Sequence, residues 1–187
     1  MSPTDLTGRL LIAMPSIGDQ RFERSVILVC AHSDEYAMGL VINKPMEGLS
    51  LTDMFEQLDI PCSIQLPDRE VLEGGPVGTD RGFVIHSEDV YCEDATLEVA
   101  EGVCLTATRD ILHAMASDSG PNESLLALGY SGWGPGQLEL ELRENAWLVG
   151  TPDPALLFDT DHGTKWSRAL DAIGIRSGHL QSMAGRA

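Results

Sequence analysis

Basic residues are scarce in this chain. Lysine and arginine number 12 against 29 aspartate and glutamate, which gives a formal net charge of −17 over 187 residues. A field of that sign repels phosphate backbones and anionic membrane surfaces. We therefore expect no direct nucleic-acid binding. The excess of acid serves either solubility or the attraction of a basic partner.

Long apolar runs and paired cysteines are also missing. The longest apolar runs hold about six residues, far fewer than the roughly 20 that a membrane-spanning helix needs. The N-terminus lacks the basic region and apolar core of a signal peptide. No two of the four cysteines form a C-x-x-C pair, so a zinc ribbon or a thioredoxin-like motif has no support. These absences predict a protein of the reducing cytoplasm without membrane association.

Short apolar segments and helical patterns are mixed without a strict β-α-β order. The strand-like runs are rich in Val, Ile and Leu, as strands buried on both faces are. Helical patterns follow Ser50, Thr108 and Asp153-Pro154, which are typical of helix starts. The mixture favours an α+β domain with a mixed sheet over a doubly wound fold. The predicted strands cover 9–13, 25–31, 37–43, 71–73, 82–86, 97–100, 103–107, 124–128 and 147–150, and the predicted helices cover 51–58, 109–116 and 164–173, with a short turn at 153–158.

The length fits one domain that is large enough to bury a sizeable core. Neither a repeat nor a low-complexity tract divides the chain. We expect a single domain over residues 1–176. Small and polar residues dominate from 177 onwards, which predicts a flexible C-terminal tail over 177–187.

The stretch from Gly129 to Glu139 is the most constrained part of the sequence, with four glycines in its first eight residues. We interpret it as a loop held in one shape, because glycine permits positive φ and close backbone approach. Ser131 does not fit a nucleophile elbow, since Trp133 occupies the position of the second glycine. Trp133 itself either plugs the core or floors a pocket. After Pro135 a strand and a short helix both fit, and we favour the helix.

Two histidines stand out because each follows an apolar strand and opens a His-Ser-acid-acid string. These strings begin at His32 and at His86. Side by side, the two strand ends would bring imidazoles and carboxylates together as a metal site or a general base. If the two strand ends lie apart, the two strings are simply polar turns. Neither histidine belongs to a complete ligand set, so we expect no bound zinc or iron and no cofactor.

Several short motifs follow one another in a fixed order along the chain. They occupy 11–15, 22–26, 37–45, 74–76, 81–86, 127–130, 132–133, 136–139 and 145–148. Taken in this order, they resemble the bacterial YqgE/AlgH family, and the resemblance runs from about Gly8 to Ile175. It implies a single α+β domain with a bifurcated, partly barrel-like mixed sheet surrounded by helices. The family is commonly described as regulating transcription, but neither catalytic residues nor a DNA-reading element come with that description.

Polar residues at the matching positions are the candidates for a ligand or partner surface. Two functions remain open on this basis. The first is a non-enzymatic cytosolic regulator that acts through a protein or small-molecule partner. The second is an enzyme or metal-binding protein that uses His32 and His86. The candidate residues are Arg24, His32, Asn43, Lys44, Arg81, His86, Tyr130 and Gln137.

Overall fold

The computed structural model describes residues 5–15 and 17–176, and within them the chain forms ten strands and five α-helices. The predicted tail, 177–187, lies outside the described residues. The strands are β1 (Leu10–Ala13), β2 (Val26–His32), β3 (Ala37–Val41), β4 (Pro45–Ser50), β5 (Glu70–Glu73), β6 (Val77–His86), β7 (Thr96–Ala100), β8 (Val103–Thr106), β9 (Ser124–Trp133) and β10 (Trp147–Gly150). The helices are α1 (Leu51–Gln57), α2 (Arg109–Met115), α3 (Gln137–Arg143), α4 (Pro154–Leu157) and α5 (Lys165–Ala172). None of the described helices is both long and apolar enough to cross a bilayer.

Strand β9 is the branch point of one mixed sheet. One of its edges pairs antiparallel with β6. Its other edge is shared, since residues 127–128 pair in parallel with β5 and residues 131–133 pair antiparallel with β3. The main path of the sheet runs β10-β1-β2-β3-β9-β6-β8-β7, with β4 and β5 on the branch. The fold is therefore α+β with a bifurcated mixed sheet, as the resemblance implied.

The sheet curls into a half-barrel. Gly8, just before β1, lies against β7 at the far end of the strand order, where a Cβ atom on Gly8 would meet the Val99 carbonyl oxygen at 2.5 Å. Inside the curl, Leu10 and Ile12 of β1 belong to the main hydrophobic core, which also contains residues of β2, β3, β6, β9 and α5. Leu11, between them, packs in a separate core shared with α3. Strand β1 is buried on both faces, which explains its wholly apolar sequence.

A third core lies under α1 and α2, against the outer face of β5, β6 and β9. Ser50 caps α1 as predicted, because its hydroxyl accepts a hydrogen bond from the Asp53 N–H at 3.1 Å while the Asp53 carboxylate accepts from the Ser50 N–H. Such a cap stabilises a helix by about 1 kcal/mol. Thr108 stands at the N-cap of α2, as predicted, but its side chain makes no capping hydrogen bond to the helix.

The glycine-rich stretch is not the loop that the sequence suggested. Strand β9 continues through Trp133, and residues 134–136 make the turn into α3, the helix favoured after Pro135. The alternating pattern of this strand is hidden because glycine contributes no side chain to either face. Likewise β6 begins at Val77 rather than 82. Pro45 opens β4, a strand the sequence did not predict, at a first position where proline is tolerated.

Candidate functional site

The two histidines lie at opposite ends of β9. His32 pairs with Ala37, which in turn pairs with Trp133 at the C-terminal end of β9. His86 pairs with Ser124 at its N-terminal end. The two strand ends therefore lie apart, the second of the two alternatives, because β3 links the end of β2 to one end of β9 while β6 carries His86 at the other. No group of three or more His, Cys, Asp or Glu side chains among the described residues is placed to hold a metal ion.

His32 has a structural role, because its ring links separate parts of the fold by hydrogen bonds. Its Nδ1 accepts a hydrogen bond from the Leu6 N–H at 3.0 Å, so the ring proton sits on Nε2 and is donated to Glu139 Oε1 at 2.6 Å. This hydrogen bond holds the pKa of Glu139 below its ordinary value. The pair fixes the N-terminal segment and α3 to the end of β2. It leaves neither ring nitrogen free to act as a base.

His86 is fully buried and is equally engaged. Its Nδ1 donates to the Ser87 carbonyl at 2.8 Å, and its Nε2 accepts from the Thr106 hydroxyl at 2.7 Å. The Thr106 oxygen lies 2.7 Å from the Thr96 hydroxyl, which accepts from the Cys92 N–H at 2.9 Å. Burial lowers the pKa of His86, so the imidazole stays neutral within this chain of hydrogen bonds. The network satisfies buried polar groups and holds the β6–β8–β7 edge together.

Three further candidates, Arg24, Asn43 and Lys44, stabilise the turn that precedes β2. Asn43 Oδ1 accepts from the first N–H of β2 at 2.9 Å, and its Nδ2 donates to the Arg24 carbonyl at 2.8 Å. Lys44 Nζ donates to the Arg21 carbonyl at 3.0 Å. Arg24 adopts a positive φ of 54°, and its guanidinium lies 5.3 Å from the centre of the Trp166 ring. These contacts hold a strained turn in place, which gives the three residues a structural role.

A second glycine-rich segment, Gly74-Gly75, packs against the stretch that begins at Gly129, at the point where the sheet divides. Gly74 joins β9 to β3, because its N–H donates to one strand at 2.8 Å and its carbonyl accepts from the other at 2.9 Å. A Cβ atom on Gly75 would collide with the backbone of Tyr130, and one on Gly129, whose φ is 76°, would collide with the Gly75 carbonyl. Ser131 is fully buried and donates to the Gly74 carbonyl at 3.3 Å, which excludes it as a nucleophile. Glycine is needed here for close backbone approach.

Gln137 belongs to a hydrogen-bonded cluster under α3. Glu141 Oε1 accepts from the Trp133 indole at 3.1 Å and from the Trp147 indole at 2.9 Å, and the two rings meet edge to face with centroids 6.2 Å apart. Gln137 donates to the other Glu141 oxygen at 3.0 Å and accepts from the Gly134 N–H at 3.0 Å. Trp133 is only 5% exposed and packs in the core, the first of its two predicted alternatives, and it also contributes to the lining of the groove described next.

The remaining candidates, Arg81 and Tyr130, share a concave groove of about 690 Å³ that crosses β2, β3, β9 and β6. Its floor is the Phe83 ring, packed edge to face on Tyr130 with centroids 5.9 Å apart. Tyr36 and Val77 stand at its rim and are 53% and 42% exposed. The Arg81 guanidinium lies over Phe83, 5.6 Å from the ring centre. These five residues define what we call the Tyr130 groove.

A bulge in β6 places Arg81 over the groove. Between the pairing of Val77 with Tyr130 and the return to regular pairing at Gly82, β6 advances five residues while β9 advances two. Gly78, inside the bulge, has φ 53°, and a Cβ atom there would lie 3.2 Å from the Tyr130 ring and 3.3 Å from the Arg81 side chain. The absent side chain lets the Arg81 stem and the aromatic ring approach each other. Bulges commonly re-aim a side chain in this way.

The Tyr130 groove is apolar and aromatic with a single cation. Its lining, within the described residues, includes no aspartate or glutamate, although the chain carries 29 of them. Arg81 takes part in none of the ion pairs formed within residues 5–15 and 17–176. Its neighbour Asp80 lines a different cavity beside α1 and α2. The groove can therefore bind by apolar contact and one charged hydrogen bond, but no imidazole, thiol or carboxylate among the described residues lines it to act as a base.

Sequence reasoning thus found two of the five residues that define the groove and missed three. Val77 and Phe83 lie on β6 with Arg81, and Phe83 even falls within the matching stretch 81–86, but an apolar residue of a strand gives no sign that it faces a groove. Tyr36 comes from the turn before β3, far from β6 in the chain. The exposed tyrosine after Asp34-Glu35 offered the one local signal, a large aromatic in a polar turn.

A buried lysine was missed as well. Lys165, at the start of α5, is fully buried and donates to the Ile42 carbonyl at 2.9 Å and the Leu157 carbonyl at 2.8 Å. Burial lowers its pKa to about 7, and burial likewise lowers the pKa of His162 to about 4. The two hydrogen bonds tie α4 and α5 to the end of β3. The sequence gives no sign of this, since a lysine beside Trp166 fits the polar face of an amphipathic helix.

Comparison with known proteins places the chain among close relatives. Residues 10–178 match the family model described as AlgH-like. A UPF0301 protein of Caulobacter vibrioides is 56% identical over 97% of this chain and 94% of its own length. A UPF0301 protein of Nitrobacter hamburgensis is 53% identical over 97% and 88%. The solution structure of the AlgH protein from Pseudomonas aeruginosa is similar, with a TM-score of 0.76 at 41% identity over 97% of this chain and 95% of that one. A crystal structure of a Corynebacterium diphtheriae protein, 21% identical, shares the fold with a TM-score of 0.69 over 87% and 84%.

Proposed function

The chain belongs to the AlgH-like family, and from this premise we propose that it is a cytosolic regulatory protein whose partner binds in the Tyr130 groove. The partner is a protein or a small molecule, and the regulatory role in transcription is the one that the family resemblance implies. The observation that carries the proposal is an apolar, aromatic groove whose rim is exposed and whose arginine has no ion-pair partner among the described residues.

The exposure of the two rim residues supports a binding role for the groove rather than a purely structural one. Tyr36 and Val77 leave about half of their surface in water, although the other large apolar side chains of β2, β3 and β6 are buried or, in the case of Met38, partly buried. Covering such surface is favourable by roughly 25 cal/mol per Å². The volume of about 690 Å³ lies within the range of ligand sites, which are concave and mostly apolar with a few placed polar groups.

Direct DNA reading is not part of the proposal. A specific DNA-binding protein neutralises several phosphates with basic side chains, whereas the described lining of the groove offers only Arg81, in a chain of net charge −17. We expect no sequence-specific duplex binding by the isolated protein at physiological salt. An anisotropy titration that gave sub-micromolar, sequence-dependent binding would contradict this.

The enzymatic alternative has lost its geometric support. It required His32 and His86 to meet, and the pairing of their strands puts them at opposite ends of β9. Both imidazoles also use both ring nitrogens in hydrogen bonds within the fold. A general base needs a free nitrogen within reach of a substrate proton.

The proposal is tested by comparing what three versions of the full chain retain after purification from bacterial cells. The versions are the natural chain, a Tyr36→Ala/Val77→Ala variant of the groove rim, and a Tyr91→Ala control. Tyr91 is 63% exposed and lies outside the groove. Mass spectrometry of bound proteins and small molecules should find at least one species on the natural chain and on the control that is missing from the rim variant. The same set of species on all three would show that the groove is not the binding site.

A further inference from the structure

Within the Tyr130 groove, the position of Arg81 specifies a ligand chemistry. We propose that the groove binds a small apolar carboxylate, with the carboxylate on the Arg81 guanidinium and the apolar body over Phe83 and Tyr130. The inference rests on the proposed function, because it names the ligand class of the same groove. It goes beyond it in requiring a single negative charge at one end of an otherwise apolar molecule.

The charge of the groove selects a monoanion. Its lining within the described residues holds one guanidinium and no carboxylate, in a chain whose net charge is −17. A cationic ligand would face Arg81 directly. A phosphate ester would carry about two charges against one guanidinium and against the field of the whole chain. A carboxylate matches the planar fork of arginine in both charge and shape, and the pair forms parallel N–H···O bonds.

The Arg81 side chain is already held in position for this contact. The side chain is held from two sides, since its stem packs beside Gly78 and its guanidinium lies 5.6 Å from the centre of the Phe83 ring. The bulge in β6 exists at this point and not elsewhere along the β6–β9 pair. A guanidinium stacked on an aromatic ring keeps its N–H edges in the plane of the group. An incoming carboxylate can therefore reach those edges with little loss of side-chain entropy.

The volume of the groove, about 690 Å³, suits a small ligand. Its lining comes from the curled face of the sheet, with Tyr36 on the β3 side of β9 and Val77 on the β6 side. The apolar body would lie between these two side chains and cover the edge-to-face pair of Phe83 and Tyr130. Met38 adds a flexible thioether to the lining, which adapts to rings and chains alike.

The test uses 2-naphthoate as the probe, its neutral counterpart 2-naphthamide, and acetate, which keeps the charge without the apolar body. Each is titrated into isotope-labelled full-length protein, and amide resonances are followed by NMR. Three proteins are compared: the natural chain, Arg81→Gln, and the control Arg143→Gln. The glutamine keeps most of the stem over Phe83 and removes the charge. Arg143 is exposed on α3 and does not line the groove.

We expect 2-naphthoate to shift resonances of residues 36–38, 77–83 and 130–133, and to bind the natural chain and Arg143→Gln with equal affinity. Arg81→Gln should weaken that binding by about tenfold, the effect of one charge-assisted hydrogen-bonded pair. Added salt should weaken 2-naphthoate binding but not the weaker binding of 2-naphthamide. Acetate should shift nothing.

Equal affinities for the acid and the amide, or an Arg81→Gln variant that keeps the full affinity for 2-naphthoate, would overturn the carboxylate assignment. In that case probe shifts that still map to the groove would leave the proposed function intact. If neither aromatic probe shifts groove resonances, the small-ligand class is wrong. The proposed function then depends on the retention experiment, in which a protein lost from the Tyr36→Ala/Val77→Ala variant would replace the small molecule.

Discussion

Replacing Trp133 with alanine is the sharpest test of how the glycine-rich part of β9 works. The indole is 5% exposed, packs edge to face with Trp147 at 6.2 Å, and donates to Glu141 at 3.1 Å. It belongs to the core between β1–β3 and α3. The variant therefore removes a large buried side chain, one aromatic pair and one hydrogen bond at the same time.

The expected loss follows from these contacts. Truncating a buried tryptophan to alanine costs about 3–5 kcal/mol of unfolding free energy, because the cavity does not fully collapse. Trp133→Phe should be far milder, since it keeps most of the buried ring and the edge-to-face contact and loses chiefly the indole N–H. Urea unfolding followed by circular dichroism measures the difference. Tyr91→Ala, at a 63% exposed tyrosine, should stay within about 0.5 kcal/mol of the natural chain.

An unchanged unfolding free energy in Trp133→Ala would refute the packing account. The tryptophan would then be better explained as part of the binding surface, because it also contributes to the lining of the Tyr130 groove. An equal loss in Trp133→Ala and Trp133→Phe would point instead to the hydrogen bond with Glu141 as the main contribution.

Four further predictions concern other parts of the fold. Glu141→Ala leaves two indole N–H groups without their acceptor and should cost about 2 kcal/mol or more of unfolding free energy. Glu141→Gln keeps an oxygen at this position, so equal losses in the two variants would show that the shared oxygen is unimportant. Gly129→Ala, at φ 76° and against a neighbouring carbonyl, should cost more than the roughly 1 kcal/mol of a positive φ alone, and a smaller loss in urea unfolding would contradict the close approach. Lys165 has a pKa lowered to about 7 from 10.5, so the unfolded chain binds more protons between these values and stability should rise with pH from about 7 to about 10; Lys165→Met should flatten that slope, and an unchanged slope would disprove the assignment. Elemental analysis should find no stoichiometric zinc or iron, because both ring nitrogens of His32 and of His86 are already hydrogen-bonded, and about one metal per chain, lost on replacing either histidine, would count against this.

Most elements of the fold could be predicted from local patterns. The apolar runs at β1, β2 and β3, the capping box before α1 and the Asp153-Pro154 start of α4 are all signals within a few residues. Errors arose where a contact from elsewhere decides the structure. Strand β9 extends through Trp133 because β3 pairs with residues 131–133, and β4 exists because β5 is there to pair with it.

The candidate site was less predictable than the fold. The polar residues at matching positions fall into two groups. Some, such as Asn43 and His32, make hydrogen bonds that stabilise the fold, and others, such as Arg81 and Tyr130, line the groove. The residue types do not separate the two groups, because a hydrogen-bonding side chain serves a backbone turn or a ligand equally well. The partners that decide between these roles are distant in the chain, as Glu139 is from His32.

The sequence by itself determined the α+β class and the acidic character of the protein, because periodicity, capping and composition are carried by neighbouring residues, and its ordered motifs identified the family by resemblance. It also singled out the glycine-rich stretch from Gly129 to Glu139, since few other residues tolerate such a backbone. Only the tertiary structure decided that Gly74 and Gly75 pack against Gly129 and Tyr130 where the sheet divides. Strand pairing also places the two histidines at opposite ends of β9, and the bulge in β6 brings Arg81 over an aromatic floor. The physical reason is that strand pairing joins residues far apart in the chain, and their register depends on all the strands together.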